Sequence, residues 1–234
     1  FVLSILLAGI SYATLKPTNK KTTIIRFAAS VIILWFAYAI YKPTAMAFLF
    51  FVMLDNCLKK DKPFSISIVL ISGAVLFIGM LASLLFSKFV PVWLYGSSIA
   101  RAELTNNPLE KLRWFVKEPL INAINNFNIT PGTLFTTLSL IICAIGLFSI
   151  IKGKSGPIKV LMFIIMGIGA YSPNLLVKEN WAAFRSLIAL EFFTCALIII
   201  GVDALTSKLN IAKKALPILT LFAMIAASYN IFNG

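Results

Sequence analysis

The run from 64 to 93 is an apolar stretch broken by a single charge, Lys88, and it limits what this chain can become. A helix needs about 20 apolar residues to cross a hydrocarbon layer of about 30 Å. This run is long enough to tilt, or to extend beyond the lipid as far as Trp93. Comparable stretches recur at about 1–15, 24–41, 43–58, 132–151, 157–172, 183–204 and 215–233. The one at 43–58 is short and carries Asp55 and Asn56 at its end. Composition points the same way, with 60% hydrophobic residues, a mean hydropathy of +0.95 and 12% charged residues. Soluble domains carry about 25% charged residues, so this chain cannot cover itself with a surface that suits water. The expected fold is an all-α, polytopic transmembrane helical bundle of about eight spans. It forms a single transmembrane domain over 1–234, with 94–131 as an outer amphipathic loop carrying short interfacial helices.

The net charge of +13 would suggest a nucleic-acid partner in a soluble protein. Here the basic residues sit in short clusters between apolar runs, so no basic face is left for nucleic acid. Lys16, Lys20 and Lys21 lead to Arg26; Lys59, Lys60 and Lys62 surround Asp61. Lys152 and Lys154 precede Lys159, and Lys208, Lys213 and Lys214 follow the seventh run. The alternate loops differ: one offers only Lys42, and another sets Lys178 and Arg185 beside Glu179. The long loop mixes Arg101, Lys111, Arg113 and Lys117 with Glu103, Glu110 and Glu118. Basic short loops belong in the cytoplasm, and the alternation holds through all eight runs. Loops 94–131 and 171–186 and the C-terminus are therefore expected outside. Phe1 opens the chain inside an apolar run with no basic segment before it. That reads as the cut end of a membrane helix, with an N-terminal part upstream.

Several chemistries are excluded. Cys57, Cys143 and Cys195 are odd in number and lie in or at the edge of apolar runs with no CxxC spacing. Histidine is absent, which removes His-based dyads and the commonest metal ligand. No metal site and no cofactor motif is identified, and no internal repeat of the kind that marks duplicated transporter halves.

What remains is the outer face. Asn107-Pro108-Leu109-Glu110 reads as a helix start, with Asn107 as cap, Pro108 in the first helical position and Glu110 three residues on. Leu109, Leu112 and Val116 share a face, with Trp114 and Phe115 beside it. Pro119 stops that helix at Glu118. A second amphipathic piece follows, with Leu120, Ile121, Ile124 and Phe127 at helical spacing. The pair either caps the bundle or roofs a cavity opening to the outer leaflet. Asn128-Ile129-Thr130 matches a glycosylation sequon, but Pro131 follows it and it reads as a chance match.

The loop at 171–185 gathers Lys178, Glu179, Asn180, Trp181 and Arg185 just before the seventh run. Trp181 and Arg185, four apart, share a face if helix has begun there. Arg185 either snorkels to headgroups or holds a phosphate through its fork of donors. Glu179 is open to three readings: a general base, a partner of Lys178 or a solvated charge. Glu191 lies in the outer half of the seventh run, where a charge faces protein or water. Its six-residue separation from Arg185 places the two on different faces. Asp55 and Asp203 fall near the cytoplasmic ends. Tyr41, Trp93, Tyr95, Trp114, Tyr171, Trp181 and Tyr229 gather at the outer level, against Tyr12 at the inner. This bias suits sugar stacking, or is one half of an interfacial belt.

Two segments carry a resemblance. Tyr41-Lys42-Pro43-Thr44-Ala45-Met46-Ala47-Phe48-Leu49 resembles the aromatic-polar helix start of membrane glycosyltransferases of the phage serotype-converting type. Asn180-Trp181-Ala182-Ala183-Phe184-Arg185 resembles their later junction from outer loop to helix. Both are similar to the wider class of polyprenyl-phosphate-sugar-dependent (GT-C type) glycosyltransferases, with this chain as the C-terminal portion. The resemblance implies a bacterial inner-membrane enzyme. It would move a sugar, typically glucose, from a polyprenyl phosphate to a lipid-linked or cell-surface glycan such as O-antigen. Membrane lipids, the polyprenyl-phosphate-linked sugar and the glycan acceptor are the implied partners. Arg185 and Lys178 would contact the phosphate, and Glu179, Asn180, Trp181, Glu103, Tyr41 and Lys42 the sugar or acceptor. The catalytic carboxylate of that class lies in an outer loop near the N-terminus, so no residue here inherits it. A transporter or flippase of lipid-linked sugars, or a polymerase or ligase of them, is the alternative reading.

Overall fold

The computed structural model describes residues 1–16, 24–59, 62–96, 104–125 and 133–208. The expected run at 215–233, the sequon at 128–130, Phe127, Tyr229 and Glu103 lie outside the described residues. The elements are α1 (Val2–Leu15), α2 (Ile24–Ile40), α3 (Lys42–Ala45), α4 (Ala47–Asn56), α5 (Ile66–Tyr95) and α6 (Pro108–Lys117). They continue with α7 (Pro119–Ile124), α8 (Thr133–Ile151), α9 (Gly156–Ala170), α10 (Ser172–Leu176) and α11 (Phe184–Lys208). Among the described residues there is no strand, and an isolated antiparallel bridge joins Leu104 to Val177.

Two of these helices are long and apolar enough to cross a membrane, over Ile66–Leu94 and Phe184–Ser207. The apolar helices Val2–Leu15, Ile24–Ile40, Thr136–Ile151 and Gly156–Ala170 are shorter, about 25 Å or less at 1.5 Å per residue. The described residues therefore hold two helices of full spanning length, against the eight expected for the whole chain. α5 buries one narrow stripe, Ser72, Val75, Gly79 and Ser83. Its small residues admit Leu34 and Tyr38 of α2, which would touch a Cβ at Gly79 at 3.6 Å. The other faces of α5 expose Leu70, Phe77, Leu81, Leu85, Phe89 and Trp93. Water does not tolerate an apolar surface of that extent, whereas lipid does.

The stretch expected as a third span is broken. Tyr41 is extended (φ −162°), Pro43 sits in the first turn of α3, and the chain turns at Met46 before α4 begins. From Lys42 to Asn56 the two helices reach about 22 Å, short of the hydrocarbon layer. Ala45, Met46, Ala47 and Phe48 are fully buried, as a short helix that is apolar all round must be. α1, α2, α9 and α11 all pack against this pair. The phenol of Tyr38 donates to Met46 Sδ at 3.1 Å.

Polar side chains inside the bundle bind helix to helix. Ser4 donates to Ala37 O at 2.9 Å. Ser11 and Ser30 lie 2.8 Å apart, and each hydroxyl also reaches the other residue's carbonyl. The helix ends sort into two groups. At one, Asp55 accepts from Tyr12 at 3.0 Å and pairs with Lys16 at 2.6 Å and with Lys59. Lys159 is 1% exposed there and donates to Lys59 O and Lys62 O, both at 2.7 Å, fastening α9 to the connection between α4 and α5. At the other end Phe1 meets Tyr41 edge-on, with ring centroids 4.8 Å apart.

α8 and α11 approach each other closely enough for backbone to meet backbone. A Cβ on Gly146 would lie 2.4 Å from Leu197 O, and one on Gly201 2.2 Å from Ile142 O. No side chain fits at either position while the helices keep this separation. Gly146→Ala is therefore expected to destabilise the bundle by about 1–3 kcal/mol, seen as a lower thermal midpoint in detergent. An unchanged midpoint would show that the two helices part at no cost.

Candidate functional site

The site grows from the start of α6. Asn107 Oδ1 accepts the Glu110 N–H at 3.2 Å, and Asn107 Nδ2 donates to Glu110 Oε2 at 3.2 Å. Pro108 occupies the first turn, and the helix ends at Glu118, just before Pro119. This is the cap and stop expected from sequence. The apolar face noted in the sequence is not the one packed against the protein. Leu109, Leu112 and Val116 are exposed, and α6 buries Lys111 and Phe115. Phe115 packs on Tyr171 with ring centroids 5.7 Å apart. Lys111, 5% exposed, donates to Glu179 O at 2.6 Å and Asn180 Oδ1 at 2.8 Å, with its ammonium 4.7 Å from the centroid of the Trp114 ring. Two good acceptors and an aromatic face offset the desolvation of a buried ammonium. Burial still pushes the Lys111 pKa down, against the opposing charge of Glu179.

Residues 178–181 thus form a strap held from both sides. Lys111 holds it at Glu179 and Asn180, while Trp181 O accepts the Tyr171 hydroxyl at 2.6 Å. Upstream, Thr105 N–H donates to Leu176 O at 2.9 Å, pairing the two loops. Between the loops and α6 lies a pocket of about 210 Å³ lined by Thr105, Asn106, Asn107, Glu110, Lys111, Lys178 and Asn180. Leu112 and Phe115 border a separate apolar groove of about 430 Å³ against α7, α8, α9 and α11.

Arg185, in the first turn of α11, faces elsewhere. Its guanidinium lies 5.8 Å from the centroid of the Trp181 ring. Its positive charge acts on the nearby Tyr41 phenol. The structure therefore brings Arg185, Tyr41 and Trp181 together, with Lys178 and Asn180 in the neighbouring pocket. Lys42 turns to α5, donating to Ser87 Oγ at 3.2 Å, and burial lowers its pKa. The Glu179 side chain is exposed. Lys111 is the member that sequence reasoning missed. It was counted among the mixed charges of a long loop, and no pattern in the sequence marks it as inward.

Glu191 is partly buried two turns into α11, and among the described residues its Oε1 has no partner. Asn174 Nδ2 and Ser72 Oγ share that condition. Among the described residues no cluster of His, Cys, Asp or Glu could hold a metal ion. No family model, curated protein or solved structure matches this chain.

Two outcomes follow from this geometry. Lys111→Met leaves Glu179 O and Asn180 Oδ1 without their donor, at a cost of about 1–3 kcal/mol. Hydrogen exchange of the amides at 178–181 is expected to accelerate about tenfold or more, and unchanged protection would mean the strap is held otherwise. Glu191→Gln keeps the shape and replaces a carboxyl whose Oε1 has no partner among the described residues. It is expected to leave the thermal midpoint unchanged or higher, and a clear fall would reveal a cationic partner.

Proposed function

We propose that this chain is the C-terminal part of a membrane-embedded glycosyltransferase that takes a sugar, with glucose as the leading candidate, from a polyprenyl-phosphate donor. The acceptor is a lipid-linked or cell-surface glycan at the outer face of a bacterial inner membrane. In this reading the apolar runs form one membrane bundle with the short α3–α4 pair buried among the longer helices, the lysine-rich ends inside, and the end bearing Tyr41, Trp181 and Arg185 outside. The sorting of helix ends is in keeping with it: Lys16, Lys59 and Lys159 meet at one end, and Phe1 and Tyr41 at the other.

The observation that carries the proposal is the placement of Arg185. A guanidinium at the mouth of α11, steadied by the Trp181 ring and the Tyr41 phenol, presents its remaining donors to an anion. It lies on the same strap-to-helix junction as the polar pocket of Lys178 and Asn180. The apolar groove beside α6 is of a kind to take an isoprenoid chain. As the sugar leaves, negative charge grows on the phosphate, and a fixed cation stabilises that charge more than it does the ground state. Arg185 acts there, with Lys178 approaching from the pocket side. The carboxylate that activates the acceptor belongs to the segment upstream.

A flippase for the same lipid-linked sugars is favoured by one observation, the helix break at Met46 in the buried centre of the bundle. One assay separates the two. With full-length protein in liposomes, Arg185→Ala should reduce sugar transfer from polyprenyl-phosphate glucose by about 100-fold or more, and Arg185→Lys should restore part of it. Transfer at the normal rate in Arg185→Ala would remove the phosphate role. Lipid flipping without any transfer by the wild type would favour the flippase.

A further inference from the structure

We propose that the polar pocket between α6 and the strap binds a single saccharide ring. Every residue that lines it is of a polar or charged type, and the set is mixed in kind. Glu110 and the amides of Asn106 and Asn180 supply acceptors, while Lys178 and the amide nitrogens supply donors. Against a phosphate stand the Glu110 carboxylate and the fact that one of the two lining ammoniums, Lys111, is already engaged by Glu179 O and Asn180 Oδ1. An apolar chain would leave these groups dehydrated and unpaired. Sugar hydroxyls both donate and accept, and neighbouring hydroxyls span the spacing between a carboxylate and an amide or ammonium.

Size narrows the ligand further. At about 210 Å³ the pocket holds the volume of about seven waters, below the usual range for drug-sized ligands. It seats one ring, with the rest of a glycan outside. The walls are already in place, because Lys111 fixes Asn180, Asn107 is bonded to Glu110, and Thr105 is bonded to Leu176. A ligand would therefore lose little free energy in ordering them. The proposal rests on the sugar-transfer reading for what is done with the ring, but not for its binding.

The test is saturation-transfer difference NMR on the detergent-solubilised chain with no lipid donor present. The probes are the α-methyl glycosides of glucose, galactose, rhamnose and N-acetylglucosamine. At least one should give a saturable signal with a millimolar Kd. Glu110→Gln and Lys178→Ala, both at exposed side chains, should each weaken it about tenfold, the effect of one unpaired polar contact. Three results would overturn the proposal: no saturable signal from any glycoside, a signal unchanged in both variants, or competitive displacement by micromolar inorganic phosphate. Binding here without transfer by the full-length protein would keep the pocket and remove the function proposed above. Transfer without binding here would do the reverse.

Discussion

A polar group removed from water must find its partner inside the protein, and in this chain that requirement shapes both ends of the bundle. Lys159 and Lys111 are the clearest cases. Each ammonium is nearly inaccessible, and each is held by two oxygen acceptors from a segment distant in sequence. Lys159 fastens α9 to the turn between α4 and α5, and Lys111 fastens α6 to the strap. Without such acceptors a buried ammonium costs several kcal/mol. The same rule at lower stakes joins α1 to α2 through Ser4, Ser11 and Ser30. In a bundle whose outer surface is apolar, these contacts set which helices meet and in what register.

The strap is where this constraint turns into a candidate site. Its backbone is anchored by Lys111 and Tyr171, and Lys111 also holds the Asn180 side chain. Lys178 and Asn180 enter the polar pocket, and Trp181 leads to Arg185 and Tyr41. A short segment thus serves two neighbouring places of different character, one mixed in donors and acceptors and one dominated by a guanidinium. Such a division suits a ligand with a polyhydroxylated part and an anionic part. The apolar groove against α8, α9 and α11 adds a third kind of surface close by.

Some of this was legible from the residues. Asn107, Pro108 and Glu110 announce the start of α6, and Pro119 announces its end, because caps and proline act through neighbours a few positions away. The meeting of Tyr41 with Arg185 spans most of the chain, and nothing local encodes it. Met46 gave no warning of a break, since Ala45, Ala47 and Phe48 suit a continuous helix. The interruption at Met46 accompanies packing of α3 and α4 on helices far along the chain, among them α1, α2, α9 and α11. Which face of α6 packs inward is not legible locally, since hydropathy alone favours Leu109, Leu112 and Val116 over Lys111. The acceptors that make Lys111 the better buried residue lie on a distant loop.

The amino-acid sequence by itself determines that this chain is helical, apolar on the outside and basic in short turns. Those properties follow from helical periodicity, hydrocarbon length and charge spacing, all of which act over one or two turns. Tertiary structure alone decided that the third apolar stretch is a broken, buried pair and that Gly146 and Gly201 let two backbones touch. It also decided that the polar residues of the strap and its neighbours divide between a pocket and an arginine junction. The physical reason is the same in each case: burial, close approach and hydrogen-bond partnership are properties of pairs far apart along the chain.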